Sequence, residues 1–207
     1  MAKPFLSIIL PITEKSNRLP LVLLDLDRNL SKAEYSSEIL AINLTGDHDV
    51  SEVVRKIGET VKNLKIIDSE VGAFGSAIKR GMLLTSGNIR LLALSGRSIP
   101  VDQLNTMIPH FKNGADLVVA RRNFEGEKRN YRKLARRIAV EKAAGLVMKF
   151  FLRDIKDPFS DFLAFTEIAA EKIFTDLKPI KHFINLSILL AAKKNSFNVK
   201  EVSVYVS

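Results

Sequence analysis

Short apolar runs alternate with amphipathic segments along the first part of the chain. The runs have the length and composition of buried strands, and they lie at residues 5–10, 38–44, 64–68, 89–94 and 115–120. The segments between them space their apolar residues as helices do, at residues 18–30, 50–61, 76–84 and 101–113. Asp49 or Ser51 is the expected cap of the second helix, and residues 72–75 are an expected loop. This alternation predicts an α/β fold, a mostly parallel, doubly wound sheet with helices on both faces.

The second half opens with a longer helical pattern. Residues 131–152 are basic at their start and apolar later, which fits either a membrane-surface helix or a core-packing helix with a solvated basic start. An extended segment at 159–165, helices at 169–174 and 183–194, and a closing strand at 199–206 are expected to follow. Ligands of such sheets bind at the carboxyl ends of the strands, so polar residues there are the candidates for a functional site.

The charge of the chain is concentrated rather than spread. The formal net charge is +9, and residues 121–137 hold eight Lys or Arg against two Glu. Such a block favours phosphate groups on lipids, on substrates or in nucleic acid, although a solvated basic face without a partner is the simpler interpretation. Nucleic acid is the least favoured of these partners, because the chain has no Trp and three Tyr with which to stack bases.

The composition excludes some chemistry and suggests a location. The chain has no Cys, so neither disulfides nor thiolate metal sites are possible. No stretch reaches the roughly 18 apolar residues of a membrane-spanning helix. The expected location is therefore the cytoplasm, with the basic block allowing peripheral contact with the cytoplasmic face of a membrane.

Six segments in a fixed order carry a resemblance to a known family. They are residues 7–11, 38–42, 75–82 with 86–88, 115–122, 157–165 and 201–204. In these segments the chain resembles the family 2 glycosyltransferases, especially the dolichyl-phosphate mannose synthases. The resemblance implies the GT-A fold and a reaction that moves a sugar from a nucleotide diphosphate to an acceptor, here a membrane lipid phosphate. It also implies a single GT-A-like domain over residues 1–207, with a nucleotide-sugar half at 1–122 and an acceptor or membrane half at 123–207.

The resemblance also implies roles for particular residues. Donor binding falls to Pro11, Glu14, Asn43, Gly75, Arg97 and Arg122. Contact with the acceptor or the membrane falls to Arg132, Arg136, Arg137 and Ser160, and Asp157 and Arg122 are the catalytic candidates. Nucleotide sugar and anionic lipid or polyprenyl phosphate are the implied partners, while neither a protein partner nor an oligomeric state is indicated.

Several acidic positions of the family carry other residues in this chain. The Asp-Asp that contacts the nucleoside is replaced by Asn43 and Leu44, and the metal-binding Asp-x-Asp by residues 94–96, which are Leu-Ser-Gly followed by Arg97. A later acidic residue becomes Ser187, and the Arg of the Ser-Gly-Phe-Arg motif becomes Leu163. The interpretation is a glycosyltransferase-like protein with lost or impaired binding of metal and nucleotide sugar, no required cofactor, and an accessory or binding role at the membrane surface.

An active enzyme with a rearranged site is the alternative. Arg97, Arg121 and Arg122 could neutralise a diphosphate without metal. Asp47 and Asp49 could instead hold Mg²⁺ or Mn²⁺, because hard cations take oxygen ligands. A polar turn with a helix cap is the simpler interpretation of this last pair.

Overall fold

One sheet with a layer of helices on each face forms the described part of the chain. The computed structural model describes residues 3–70, 73–94, 101–123, 154–178 and 184–205. The strands are β1 (Leu6–Ile12), β2 (Ser37–Asn43), β3 (Leu64–Asp68), β4 (Ile89–Ala93), β5 (Leu117–Asn123), β6 (Phe162–Thr166) and β7 (Val199–Tyr205). The helices are α1 (Leu19–Leu30), α2 (His48–Gly58), α3 (Phe74–Leu84), α4 (Val101–Lys112), α5 (Glu167–Asp176) and α6 (Ile184–Lys194).

The strand order places the two halves of the chain in a single sheet. Among the described residues the order is β3-β2-β1-β4-β6-β5-β7. Strands β1 to β4 are parallel neighbours, and β7 runs parallel to β5. Only β6 is antiparallel to its neighbours, β4 and β5. The predicted doubly wound α/β sheet is confirmed, and the antiparallel β6 brings the start of the 157–165 segment to the carboxyl ends of the other strands.

The central strand shows why the apolar runs fold as strands. All seven residues of β1 are buried, as a strand covered on both faces requires. Pro11 lies inside this strand, although proline cannot donate to a ladder. The pairing of β1 with β4 ends at Ile9, so Pro11 lies where β1 has already become an edge on that side. The pairing with β2 continues through Ile12.

Two apolar layers enclose the sheet. Helices α1, α2 and α4 pack on one face, where Leu19, Leu23, Leu26 and Leu30 of α1 repeat at helical spacing. Helices α3, α5 and α6 pack on the other face, through residues such as Ile78, Phe174 and Ile188. The two layers leave the carboxyl ends of the strands as a polar edge.

Three local predictions were wrong. Helix α3 begins at Phe74, so Gly75 lies in its first turn and not in a loop. The cap of α2 is Asp47, whose carboxylate accepts a hydrogen bond from the backbone N–H of Asp49 at 2.9 Å. Strand β5 begins at Leu117 and runs to Asn123, beyond the predicted end at residue 120, because β7 pairs with it along that whole length.

Candidate functional site

The carboxyl ends of β1, β2 and β3 form the edge at which a ligand of this sheet is expected. Asn43 ends β2 and Asp68 ends β3, and the parallel register places these two residues side by side. The loop after β1 begins at Thr13 and the loop after β2 at Leu44. Leu44 is buried with the apolar layer that includes Ile78, so it takes no part in the polar edge.

Asn43 is the centre of a hydrogen-bond network at this edge. Its side-chain nitrogen lies 2.8 Å from the Ser51 hydroxyl, 3.0 Å from the Asp68 carboxylate and 3.0 Å from the Asp47 carbonyl. Its side-chain oxygen accepts from the N–H of Thr45 at 3.0 Å and from the Thr45 hydroxyl at 2.7 Å. An amide side chain has two N–H donors and two acceptor lone pairs. Asn43 is 3% exposed, so its hydrogen-bonding capacity is used up inside the protein.

Asp68 completes the network from the neighbouring strand. The buried hydroxyl of Ser51 donates to its carboxylate, and Nη2 of Arg55 lies 3.1 Å from the second carboxylate oxygen. These contacts hold the pKa of the Asp68 carboxyl below its usual range, first through the Ser51 hydrogen bond and then through Asn43 and the charge of Arg55. Asp68, Ser51 and Arg55 were not among the site residues expected from the sequence, and Ser51 was expected only as a possible helix cap. An Asp at the end of a predicted strand is a signal that could have indicated Asp68.

Lys15 joins the loop after β1 to the start of α2. Its ammonium nitrogen lies 2.9 Å from an oxygen of Asp47 and 2.8 Å from an oxygen of Asp49. The pairing raises the pKa of Lys15, through Asp49 first and then Asp47, and lowers the pKa of Asp47. A lysine ammonium thus lies between the two carboxylates considered as ligands for a divalent cation.

A second polar turn lies where β6 begins. The carboxylate of Glu201, on β7, accepts hydrogen bonds from the backbone N–H groups of Lys156 and Asp157, each at 2.8 Å. Asp157 is 6% exposed. Ser160 is fully buried, and its hydroxyl donates to the carbonyl of Ala120 on β5. These contacts fix the turn to β5 and β7, and they give Ser160 a structural contact that a contact with an acceptor would have to break.

Comparisons with known proteins show which proteins the chain is similar to in sequence. No protein-family model matches the chain. The dolichol-phosphate mannosyltransferase of Pyrococcus furiosus is 26% identical over 191 residues, which cover 90% of this chain and 53% of that protein. The dolichyl-phosphate beta-glucosyltransferase of Drosophila melanogaster is 24% identical over 217 residues, covering 96% of this chain and 66% of that protein.

The solved structures agree on the fold. Glucosyl-3-phosphoglycerate synthase of Mycobacterium tuberculosis, in complex with Mn²⁺, UDP-glucose and phosphoglyceric acid, matches with a TM-score of 0.69 at 14% identity, over 98% of this chain and 70% of that one. A mannosyltransferase of Pyrobaculum calidifontis, in complex with GDP-mannose and Mn²⁺, matches with a TM-score of 0.62 at 14% identity, over 99% of this chain and 57% of that one. The chain has the GT-A fold, and its sequence is similar to those of dolichyl-phosphate sugar transferases. The resemblance and the fold inferred from the sequence are confirmed.

This chain matches only part of the length of its relatives. It covers about half of the Pyrococcus enzyme and about two thirds of the Drosophila enzyme. Among the residues that the structure describes, no helix is long and apolar enough to cross a bilayer. The fold therefore does not carry the activity of those whole proteins over to this chain.

The residues predicted to bind the donor differ in position and in burial. Pro11 is buried within β1, Gly75 is buried in α3, and Glu14 is exposed in the loop after β1. For Arg122 only the backbone, in β5, is described. Outside the described residues lie Arg97, Arg132, Arg136 and Arg137. Asn43 is the donor candidate whose side-chain contacts are fully defined.

Two of the structural relatives hold Mn²⁺, so the described residues were compared with the ligands that such a cation takes. No group of three or more His, Asp or Glu side chains could hold a metal ion within residues 3–70, 73–94, 101–123, 154–178 and 184–205. Leu94, which the sequence resemblance alone places at the first position of the family's metal motif, is half-buried, and its N–H donates to the carbonyl of Asp161 at 2.7 Å. The apolar side chain of Leu94 offers no oxygen ligand, and at Asp47 and Asp49 a lysine already neutralises part of the negative charge.

The Asp68 network is expected to make stability depend on pH in the acid range. A carboxyl whose pKa is lowered by folding stabilises the protein above its unfolded pKa of about 3.9, and this contribution is lost as the pH falls through the lower folded value. Asp68→Asn is therefore expected to unfold more easily than wild type at neutral pH, and the difference is expected to shrink below about pH 4. Urea unfolding at a series of pH values measures this.

A charge-matched control separates the network from general charge effects. Glu52→Gln removes one exposed carboxylate from α2, the helix that carries Ser51 and Arg55, without touching Asp68. Its difference from wild type is expected to be small at every pH. An Asp68→Asn variant whose difference from wild type stayed constant from neutral to acid pH would contradict the linkage.

Proposed function

We propose that this chain is a glycosyltransferase-like protein that has lost or impaired binding of metal and nucleotide sugar, and that it has an accessory or binding role at a membrane surface. The observation that carries the first part is the internal saturation of Asn43 at the carboxyl edge of the sheet. For Asn43 to bond a nucleoside, at least one of its present hydrogen bonds must break. A buried polar group left without a partner costs about 1–3 kcal/mol, which opposes binding.

The loop after β1 supports the same proposal. Lys15 links this loop to Asp47 and Asp49, so the polar edge beside β1 and β2 is closed by an internal ion pair. Each pair is exposed, and exposed ion pairs contribute little to stability because water screens them. The ion pairs of Lys15 therefore oppose ligand binding less strongly than the internal hydrogen bonds of Asn43 do.

The membrane role rests on charge and on the relatives. The basic block at residues 121–137 matches the negative surface of a membrane, where each Lys or Arg contributes about 1 kcal/mol. The names of the Pyrococcus and Drosophila relatives both contain a dolichyl phosphate, which is a lipid phosphate. Residues 124–137 of the block lie outside the described residues.

An active transferase is the second candidate, and one observation favours it. The structural relatives from Mycobacterium and Pyrobaculum hold Mn²⁺ together with UDP-glucose or GDP-mannose in the same fold. Asp47 and Asp49 are accessible, and an exposed lysine could give way to a stronger cation. An active enzyme that used Asp47 and Asp49 would require Mg²⁺ or Mn²⁺. An active enzyme that used Arg97 and Arg122 would neutralise the diphosphate without metal.

Calorimetric titration of the full chain with UDP-glucose and GDP-mannose, each with and without Mn²⁺, tests the first part of the proposal. No saturable binding that Mn²⁺ strengthens, or that Arg97→Ala/Arg122→Ala abolishes, is expected. Binding that required Mn²⁺ and disappeared in Asp47→Asn/Asp49→Asn would establish the rearranged metal site instead. Binding without metal that disappeared in Arg97→Ala/Arg122→Ala would establish the arginine version.

Sedimentation with vesicles tests the membrane role. The protein is expected to pellet with phosphatidylcholine vesicles that contain phosphatidylserine, and Arg132→Ala/Arg136→Ala/Arg137→Ala is expected to pellet much less. The variant Lys32→Ala/Lys62→Ala/Lys112→Ala removes the same charge from exposed positions elsewhere. Equal pelleting of wild type and both variants would count against a role for the basic block.

A further inference from the structure

A polar cavity lies at the far end of the sheet from the Asn43 network. It has a volume of about 480 Å³ and lies against β7, the last strand of the sheet, and β5 beside it. The end of α6 with the loop that follows, and the turn at residues 154–156, form its other walls. Volumes of about 300–1,000 Å³ are usual for sites that take small molecules.

Positive charge dominates the lining of this cavity. Four cationic side chains, Arg121, Lys156, Lys193 and Lys200, stand against two carboxylates, Asp154 and Glu201. None of the three lysines forms an ion pair with the described residues. A concave surface that concentrates charge of one sign raises the local concentration of ions of the opposite sign.

The carboxylate of Glu201 is already engaged inside the protein. One of its oxygens accepts the two backbone N–H groups of Lys156 and Asp157, and the side chain is 10% exposed. Its other oxygen lies 4.0 Å from Nη1 of Arg121. Asp154 is the second carboxylate of the lining, and with four cations against two carboxylates among the described residues the cavity favours an anion.

Arg121 is the best-positioned cation of the cavity. Nη2 donates to the hydroxyl of Ser203 at 2.6 Å, while Nη1 is 4.0 Å from Glu201, which is too long for a hydrogen bond. A guanidinium has five N–H donors, of which the Ser203 hydroxyl takes one. The Ser203 contact restrains the guanidinium at the wall of the cavity, where its planar set of donors can make paired hydrogen bonds to a phosphate.

We propose that this cavity binds a small phosphorylated molecule, with Arg121 and Lys193 holding the phosphate and Lys156 and Lys200 adding charge at the rim. Of the lining residues, only Phe197 and Val199 offer an apolar surface, so the site suits a phosphate or diphosphate group better than a lipid chain. The site is separate from the nucleotide edge, and the inference stands whether or not that edge binds nucleotide sugar.

Titration of ¹⁵N-labelled full-length protein with sodium pyrophosphate, in the presence of EDTA, tests this site. Saturable shifts are expected for the backbone amides of Asn198 and Ser203, and not for those of Thr45 and Ser69 beside Asn43. Sodium chloride at matched ionic strength is expected to produce no such shifts. Glucose 1-phosphate is expected to bind at the same amides, because it presents the same phosphate group.

Paired lysine variants give the quantitative test. Lys193→Met/Lys200→Met is expected to bind pyrophosphate about tenfold or more weakly, since one charge-assisted contact and one positive charge at the rim are removed. Lys62→Met/Lys112→Met loses the same charge from exposed positions outside the cavity and is expected to bind as wild type does. Equal thermal unfolding temperatures of the two double variants establish that the cavity variant is folded.

Three outcomes would overturn the proposal. The first is a pyrophosphate affinity that falls equally in both double variants, which would show general charge attraction. The second is a set of shifts confined to the amides beside Asn43. The third is binding to phosphatidylcholine vesicles that contain phosphatidic acid without any binding of pyrophosphate or glucose 1-phosphate, which would assign the surface to a lipid headgroup.

Discussion

Replacing Arg90 with alanine is expected to lower the free energy of unfolding by about 3 kcal/mol. Arg90 lies in the middle of the sheet on β4 and is 2% exposed. Its Nη1 donates to the carbonyl of Met82 at 2.9 Å, and its Nη2 donates to a carboxylate oxygen of Glu171 at 3.1 Å. The side chain thus ties the last turn of α3 to α5. Glu171 and Glu167 can recover water, so the loss is at the lower end of the range for a broken buried ion pair.

The variant Arg90→Met separates packing from polar contacts. It keeps most of the buried volume and removes Nε, which has no hydrogen-bond partner among the described residues. A smaller loss than in Arg90→Ala is therefore expected. Arg80→Ala, at an exposed position of α3, is expected to change stability by less than about 0.5 kcal/mol. Urea unfolding that placed Arg90→Ala beside Arg80→Ala would show that the buried guanidinium contributes nothing to the fold.

Much of the sheet could be predicted because its strands are buried on both faces. The run at β1 is apolar throughout, and the predicted limits of β3 are those observed. Local pattern could not place β6 between β4 and β5, because that neighbourhood depends on pairing across the second half of the chain. Gly75 shows a different failure. A glycine in the sequence indicates a loop, but Gly75 is buried in α3. There, packing against the sheet has more influence on the local structure than the preference of glycine for loops.

The candidate site was predictable only where a family motif marked it. Asn43 was predicted as a site residue because it aligns with a nucleoside-binding position of the family that the chain resembles. Asp68 and Ser51 carry no motif, and only the parallel register of β2 and β3 brings them to Asn43. Glu201 lies in the predicted closing strand, but its contact with the Asp157 turn joins residues that are 44 positions apart in the sequence. Contacts of this kind depend on the folded chain and have no local signal.

Replacing Gly87 with alanine is expected to lower the free energy of unfolding by about 3 kcal/mol. A Cβ at this position would lie 2.5 Å from the Ser7 hydroxyl oxygen, 2.6 Å from the Ser7 nitrogen and 2.8 Å from the Ile89 carbonyl oxygen. Two of these are backbone atoms and cannot turn aside. Ser7 is fully buried in β1, where its hydroxyl donates to Glu38 at 2.7 Å and accepts from the N–H of Gly87 at 2.8 Å. The clash therefore displaces the turn before β4 or breaks this buried network.

Gly58→Ala is the matched control for Gly87→Ala and is expected to have the opposite sign. Gly58 is the last residue of α2, and a Cβ there would meet only the Leu64 carbonyl oxygen, at an ordinary 3.6 Å. Alanine is favoured over glycine in a helix by about 0.5–1 kcal/mol, so the control is expected to be as stable as wild type or more so. Adding Ser7→Ala to Gly87→Ala is not expected to restore stability, because the Ser7 nitrogen and the Ile89 oxygen remain in place. Urea unfolding that gave both glycine variants the same sign would contradict the close approach at Gly87, since the substitution is otherwise identical.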